Sequence, residues 1–134
     1  MQWKRGNFSI FNERDLVDLN FVEAMLRSNY WAPTRPREVI AASIQGSIPL
    51  SLFDGEQQIG FARTVTDSAT FAWIADVMVA PEYRGRGLGR WLIECILEHP
   101  AVVPTAQQVL RTRDAHELYT KFGFEIGECM SRMP

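Results

Sequence analysis

Residues 77–90 read Val-Met-Val-Ala-Pro-Glu-Tyr-Arg-Gly-Arg-Gly-Leu-Gly-Arg, and this stretch decides how the chain is interpreted. An apolar run ends at a proline, glycines and arginines follow, and a new apolar periodicity begins, which predicts a strand, a turn and a helix. The first amides of a helix have no partner within it and lie at the positive end of its dipole. The junction therefore suits a pyrophosphate, because glycine lets an anion approach the backbone and arginine adds charged donors. The predicted anion-binding residues are Arg84, Gly85, Arg86, Gly87, Leu88, Gly89 and Arg90.

The same glycines could close a strand–helix corner without binding a ligand, because short glycine patterns recur by chance. The strand before them, the helix after them and three arginines within seven residues favour phosphate binding. Two other kinds of phosphate site fit less well. A P-loop needs Gly-Lys followed by Ser or Thr, which this stretch lacks. A dinucleotide fingerprint needs a parallel βαβ unit, whereas antiparallel strands are predicted before this loop.

Outward from this junction, hydrophobic periodicity and turn residues predict the remaining elements. Asp54-Gly55 indicates a hairpin, and Asp18 and Asp114 are predicted helix caps. Strands in a meander followed by β-α-β predict an α+β fold around one mixed sheet, in a single domain over residues 1–134. The predicted strands are 7–11, 48–53, 58–66, 70–79, 109–112 and 124–126, and the predicted helices are 18–28, 37–45, 87–98 and 114–122.

The composition limits the classes of function. A hydrophobic content of 46% supports one real core, and a net charge of −2 argues against a general nucleic-acid binder. No apolar stretch reaches the roughly 18 residues of a membrane span, and no signal-peptide core follows the N-terminus. Cys95 and Cys129 show neither metal-ligand nor disulfide-framework spacing, and Cys95 is predicted to be a buried thiol. We expect a soluble, cytoplasmic protein without a metal or a membrane partner.

Residues 77–90 resemble the acetyl-CoA signature of the GCN5-related N-acetyltransferase (GNAT) superfamily, Arg/Gln-x-x-Gly-x-Gly/Ala after a strand ending in Val-x-Val. Residues 115–124, Ala-His-Glu-Leu-Tyr-Thr-Lys-Phe-Gly-Phe, are similar to the family's Ala-x-x-Leu-Tyr-x-Lys-x-Gly-Phe segment. Two motifs in this order are more specific than either alone. The resemblance implies an α/β/α sandwich, in which a mixed, mostly antiparallel sheet of six to seven strands is flanked by about four helices. It also implies an enzyme that transfers an acetyl group from acetyl-CoA directly to a primary amine.

By the same resemblance, main-chain groups of Val77, Met78 and Val79 pair with the pantetheine arm of the cofactor, and the amides of residues 84–90 hold its pyrophosphate. Many family members carry Asn three residues before the second motif, where this chain has Thr112, whose reach is shorter. A homodimer would follow family habit, although no feature of the sequence demands one. The alternative function is a non-catalytic module that senses acyl-CoA in the same pocket.

Acetyl transfer needs a neutral amine and a proton for the departing thiolate. A lysine-like amine of pKa about 10.4 is almost wholly protonated at pH 7, a handicap of about 4.6 kcal/mol. Tyr119 in the second motif is the predicted general acid, because a phenol of pKa near 10 stays protonated at neutral pH; its alternative role is core packing. Asp76, a carboxylate inside an apolar strand, is the candidate base, but it could equally pair with an arginine. Glu82 and Glu125 are flanking alternatives for the base, and His99 and His116 are expected to cap turns or to lie at the surface.

In this family the acceptor usually contacts the loop between the first two helices and the hairpin strands. Tyr30 and Trp31 in that loop could wall an acceptor pocket, although packing beneath the loop is equally consistent with the sequence. Arg35 and Arg37 could receive a carboxylate of the acceptor or merely begin a helix at the surface. A small-molecule amine is favoured over a protein acceptor, and its identity stays open.

Overall fold

A computed structural model describes residues 1–134 and shows one six-stranded sheet with helices on both faces. The strands are β1 (Gln2–Arg5), β2 (Phe8–Phe11), β3 (Ile48–Asp54), β4 (Gln57–Thr66), β5 (Phe71–Val79) and β6 (Gln107–Leu110). The helices are α1 (Leu19–Arg27), α2 (Arg37–Gln45), α3 (Leu88–Glu98) and α4 (His116–Thr120). The strands lie side by side in chain order, and all neighbours are antiparallel except β5 and β6, which are parallel and connected through α3.

The sheet separates two hydrophobic cores. The larger core lies beneath α3, whose buried face carries Leu92, Ile93 and Ile96, and the smaller core lies beneath α1 and α2 around the fully buried Phe61. This arrangement confirms the predicted α+β sandwich with a mixed, mostly antiparallel sheet. None of the helices combines the length and the apolar character that a bilayer crossing requires.

A bulge in β5 reverses which of its side chains face each core. The register with β4 shifts by one residue between Ala75 and Met78, so Asp76 and Val77 together lie opposite a single residue of β4. In a regular strand, residues separated by an even number share a face. Here Ile74 packs in the larger core and Met78 packs in the smaller one. The bulge therefore turns the second half of β5 over relative to the first.

Several local predictions are confirmed. Asp18 caps α1, since its carboxylate accepts a hydrogen bond from the backbone N–H of Phe21 at 3.2 Å. Gly55 has a φ of 59° at the first central position of the two-residue β3–β4 turn, as a type II′ hairpin requires. Cys95 is 1% exposed, and burial raises the pKa of its thiol to about 12.

The two ends of the chain differ from the prediction. The strand predicted at 7–11 is the second arm of a hairpin, and its partner β1 was missed because β1 is mostly exposed and carries no hydrophobic pattern. Residues 124–126 form no strand, because they do not pair with the sheet, whose edge is β6; Phe124 packs edge-on against Tyr119, with ring centroids 5.8 Å apart. The predicted cap at Asp114 is wrong as well. The hydroxyl of Thr112 accepts the hydrogen bond from the backbone N–H of Ala115 at 3.0 Å.

Gly60 provides a test of how closely the central strands approach each other. A Cβ added there would lie 2.8 Å from Cδ2 of Leu52 and 3.0 Å from the carbonyl oxygen of Met78, and neither the packed side chain nor the backbone has room to move. We expect Gly60→Ala to lower the free energy of unfolding by about 1–3 kcal/mol, measured by urea denaturation. Gly46→Ala is the control, because its Cβ would meet nothing closer than 3.6 Å and its φ is negative, so its stability should change little.

Candidate active site

The candidate site is a cleft that opens where β5 and β6 separate. The pairing between these parallel strands ends at Ile74 and Leu110, whereas β5 continues to Val79. Residues 75–79 therefore have no neighbouring strand on the β6 side, so this edge of the sheet is available to a ligand. A cavity of about 530 Å³ occupies the gap.

Asp76 occupies the bulge in a strained backbone conformation. Its φ is 53°, in the left-handed region that residues other than glycine seldom adopt, and such a conformation persists only where the surroundings impose it. Here the surroundings are three donors to its carboxylate. Arg63 Nε donates to Oδ2 at 2.7 Å, Arg35 Nη1 donates to Oδ2 at 2.8 Å, and Trp31 Nε1 donates to Oδ1 at 3.0 Å.

The ionisation of Asp76 follows from these contacts. Its side chain is only 4% exposed, and burial by itself would favour the neutral acid. The guanidinium groups of Arg63 and Arg35 outweigh this effect, and they hold the pKa of the carboxyl group below its usual range. Asp76 is therefore an ionised anchor for two arginines at neutral pH. Of the two roles that the sequence analysis considered, a base or a partner of an arginine, these contacts correspond to the second.

The loop after α1 spans the cleft from one strand to the other. Trp31 bonds to Asp76 on β5, and the hydroxyl of Tyr30 accepts a hydrogen bond from the backbone N–H of Arg113, beyond β6, at 3.2 Å. The two aromatic rings meet edge to face, with centroids 5.2 Å apart. The Arg113 guanidinium lies 3.6 Å from the centroid of the Tyr30 ring, a cation–π contact. Tyr30 and Trp31 thus form a wall of the cleft. The sequence analysis had allowed either this position or packing beneath the loop.

Tyr119 lies on α4 and borders the same cleft. The residue is only 9% exposed, yet its hydroxyl donates to no protein group. Burial, together with Tyr30 and Asp114, raises the pKa of this phenol above its ordinary value. A protonated hydroxyl that the protein leaves without a partner is therefore available to a ligand in the cleft.

The glycine- and arginine-rich loop lies where β5 leads into α3, as predicted. Gly85 and Gly87 have φ values of 79° and 76°, so the turn uses the left-handed conformation that glycine permits. Gly87 is the N-cap of α3 and supplies no capping side chain. Backbone N–H groups from 85 to 90 donate to no carbonyl or side chain of the protein, and the first helical donor is that of Trp91. These free donors are the groups that an anion would use.

The structure brings together some candidates of the sequence analysis and separates others. Asp76, Val77 and Tyr119 line the cleft with Tyr30 and Trp31, whereas Met78 points into the smaller core. Glu82 and Glu125 are exposed and lie outside this cleft, as does Arg37, which pairs with Glu23 at 3.6 Å. His116 is exposed, but His99 is buried, and its Nδ1 accepts from the backbone N–H of Ala101 at 3.1 Å, so only its capping role agrees with the prediction.

Sequence reasoning missed Arg63 and Arg113. Arg63 interrupts the otherwise buried run of β4, much as Asp76 interrupts β5, and two opposite charges in neighbouring apolar strands are a signal that could have linked them. Arg113 carried no such signal, because its contact with Tyr30 joins residues 83 positions apart.

Comparison with known proteins identifies the family. A family model described as an acetyltransferase (GNAT) domain matches residues 47–126, more than half of the chain. The chain belongs to the GNAT acetyltransferase family. A solved structure from Xanthomonas campestris pv. campestris, assigned to the GNAT family, superposes on this GNAT protein with a TM-score of 0.92 at 30% identity, covering 98% of this chain and 96% of that one.

Two curated relatives are consistent with this assignment. A Gibberella zeae protein, provisionally named an acetyltransferase, is 26% identical over 140 residues, covering 89% of this chain and 79% of that protein. The histone acetyltransferase TAP1 of Glycine max is 37% identical over 100 residues, which cover 66% of this chain but only 43% of the plant protein. This GNAT chain is thus an acyl-CoA-dependent N-acetyltransferase.

The anchoring role of Asp76 can be tested by Asp76→Asn, which tolerates the left-handed backbone but removes the charge. Two guanidinium groups are then left without their counter-ion, and we expect the free energy of unfolding at pH 7 to fall by about 3 kcal/mol in urea titrations. Asp15→Asn, at an exposed position without a hydrogen-bond partner, should be neutral.

The stability of the wild type and that of Asp76→Asn should depend differently on pH. The pKa of Asp76 is lowered in the native state, so the stabilisation is complete above the unfolded pKa of about 3.9 and is lost as pH falls through the native value. The stability difference between wild type and Asp76→Asn should therefore shrink below about pH 4. A difference that stays constant down to pH 2 would contradict the ionised anchor.

Proposed function

We propose that this enzyme transfers an acetyl group from acetyl-CoA directly to the primary amine of a small molecule, with Tyr119 as the general acid. The observation that carries the proposal is Tyr119, which lines the cleft beside the unpaired edge of β5 and whose hydroxyl has no hydrogen-bond partner in the protein. In this reaction the amine nitrogen bonds to the acetyl carbon while the carbon–sulfur bond breaks. The thiolate takes the proton of Tyr119, and the nitrogen releases one proton, which restores the phenol.

Two backbone features support acetyl-CoA as the donor. The free edge of β5 over residues 77–79 offers main-chain groups to an extended amide-containing arm, and the N–H groups of residues 85–90 offer a cradle to its pyrophosphate. The side chains of Arg84, Arg86 and Arg90 are exposed around this cradle, although Arg84 Nε also bonds to the carbonyl of Val79 at 3.1 Å. A non-catalytic sensor of acyl-CoA would use the same groups, but it would give the hydroxyl of Tyr119 no role.

The raised pKa of Tyr119 has two consequences for its role. The phenol stays protonated across the physiological range, so the acid is always ready. Transfer of its proton to an ordinary thiolate of pKa about 8.5 is uphill by at least about 2 kcal/mol. The same burial would also raise the pKa of a thiolate that forms in the cleft, which reduces this difference.

Removal of a proton from the incoming amine does not require Asp76 as a base. An ionised carboxylate that accepts from three donors and has a lowered pKa is a weak proton acceptor, so we propose that Asp76 positions Arg35, Arg63 and Trp31. The positive charges of these arginines disfavour an ammonium group in the cleft and shift the bound amine toward its neutral form. The proton that the ammonium group loses before the reaction can leave through water, and only the later proton of the neutral amine returns to Tyr119.

The anion cradle is tested by Gly87→Ala. An added Cβ strains the left-handed N-cap of α3 and displaces the free N–H groups, so we expect CoA to bind at least tenfold more weakly in titration calorimetry. Gly55→Ala is the control away from this loop, because it also adds a Cβ at a positive φ, in the β3–β4 turn, and should leave the affinity unchanged. If the wild-type protein fails to bind CoA at millimolar concentration, acetyl-CoA is not the donor.

The role of Tyr119 is tested by Tyr119→Phe, which keeps the ring and removes the acid. We expect kcat to fall by about 100-fold, followed as thiol release from acetyl-CoA, while the Kd for CoA stays unchanged. Tyr83→Phe is the control, since that hydroxyl donates to Asp54 at 2.6 Å rather than facing the cleft. Full activity of Tyr119→Phe would assign Tyr119 to packing, and CoA binding without any turnover in the wild type would favour the sensor.

A further inference from the structure

Arg35 and Arg63 carry more hydrogen-bond donors than the protein uses. A guanidinium group has five N–H donors, and in the cleft Arg35 donates only through Nη1 and Arg63 only through Nε, both to Asp76. The two side chains are only 23% and 14% exposed, so water reaches them mainly through the cleft. Both residues line the cavity, so their remaining donors are available to a ligand that accepts hydrogen bonds.

The charge of this cluster is also unbalanced. Two guanidinium groups against the single carboxylate of Asp76 leave one positive charge, in a protein whose net charge is −2. The rest of the cleft does not cancel it, because Arg111 and Arg113 line the same cavity, and Asp114 is the only other carboxylate in its lining. A ligand with one negative charge would neutralise the Arg35–Asp76–Arg63 cluster.

Carboxylate is the anion that suits this geometry. A guanidinium edge presents two parallel N–H donors to the two oxygens of a planar carboxylate, and a single charge matches the single excess charge. The two negative charges of a phosphate dianion would exceed this single positive charge. Polyamines and lysine-rich peptides would instead add positive charge to a positive cleft, which disfavours them.

We propose that the acceptor is an amino acid in the broad sense, a small molecule that carries both the primary amine and a carboxylate, which Arg63 and Arg35 bind. The inference deepens the proposed function and rests on it. Tyr30 and Trp31 form the apolar wall beside this carboxylate site, and Asp76 holds both arginines in place without contacting the acceptor. The carboxylate thus anchors one end of the acceptor, and the amine remains free to reach the thioester.

The test compares matched acceptors that differ only in the carboxylate. The pairs are β-alanine with ethylamine, 4-aminobutyrate with propylamine, and lysine with cadaverine, each with saturating acetyl-CoA. For at least one pair we expect kcat/KM to be about 10- to 100-fold higher for the amino acid, mainly through a lower KM. O-phosphoethanolamine against ethanolamine forms a further arm, and a stronger preference there than in every carboxylate pair would overturn the carboxylate assignment.

Variants link the preference to the two arginines. Arg63→Gln and Arg35→Gln should each reduce the ratio of kcat/KM between amino acid and amine at least fivefold, and the ratio cancels any general loss of active protein. Arg63→Lys keeps the charge that balances Asp76 but lacks the two-donor edge, so its ratio should be intermediate. Arg37→Gln, outside the cleft, is the matched control and should keep the wild-type ratio.

The outcomes separate the inference from the proposed function. CoA binding with turnover of amines but no preference for the carboxylate would overturn the inference and leave the transferase proposal intact. A preference that survives both Arg63→Gln and Arg35→Gln would equally overturn it. Absence of CoA binding would overturn the proposed function, and the inference with it.

Discussion

The carboxylate of Asp76 is the contact on which the site depends. It lies in a bulge at a left-handed backbone conformation, and its bonds to Arg63, Arg35 and Trp31 join β4, β5 and the loop after α1. A β-branched or apolar residue there would gain nothing to offset the strain. Because the bulge shifts the alternation of β5, Met78 packs beneath α1 and α2, while Val77 and Val79 pack toward α3.

The divergence of β5 and β6 creates two parts of the candidate site at once. It exposes strand edge for the arm of a cofactor, and it opens the cleft that Tyr119 borders from α4. Loop and helix geometry supply the remaining part, since left-handed glycines lead into a helix whose first N–H groups are free. Under the proposed function, the donor would bind largely through these backbone groups, and the side chains of the cleft would be left to select the acceptor.

Much of the fold could be predicted because its signals are local. The Asp18 cap, the Gly55 turn and the glycine-rich start of α3 each depend on a few consecutive residues, and each agrees with the structure. The errors arise where pairing with another strand decides whether a segment forms a strand. β1 is exposed and exists through its hydrogen bonds to β2, and residues 124–126 have strand-like composition but form no strand.

The sequence by itself determined most of the element order, the strand–loop–helix junction over residues 77–90 and the family, because motif spacing and hydrophobic periodicity are properties of the linear sequence. Only the tertiary structure decided what Asp76 does, since its partners Trp31 and Arg35 lie 45 and 41 residues away and the positive φ leaves no mark in composition. The same holds for the net charge of the cleft, which sums side chains from β4, β5, and the loops after α1 and β6. Electrostatics depends on distance in space, and the chain order does not contain that distance.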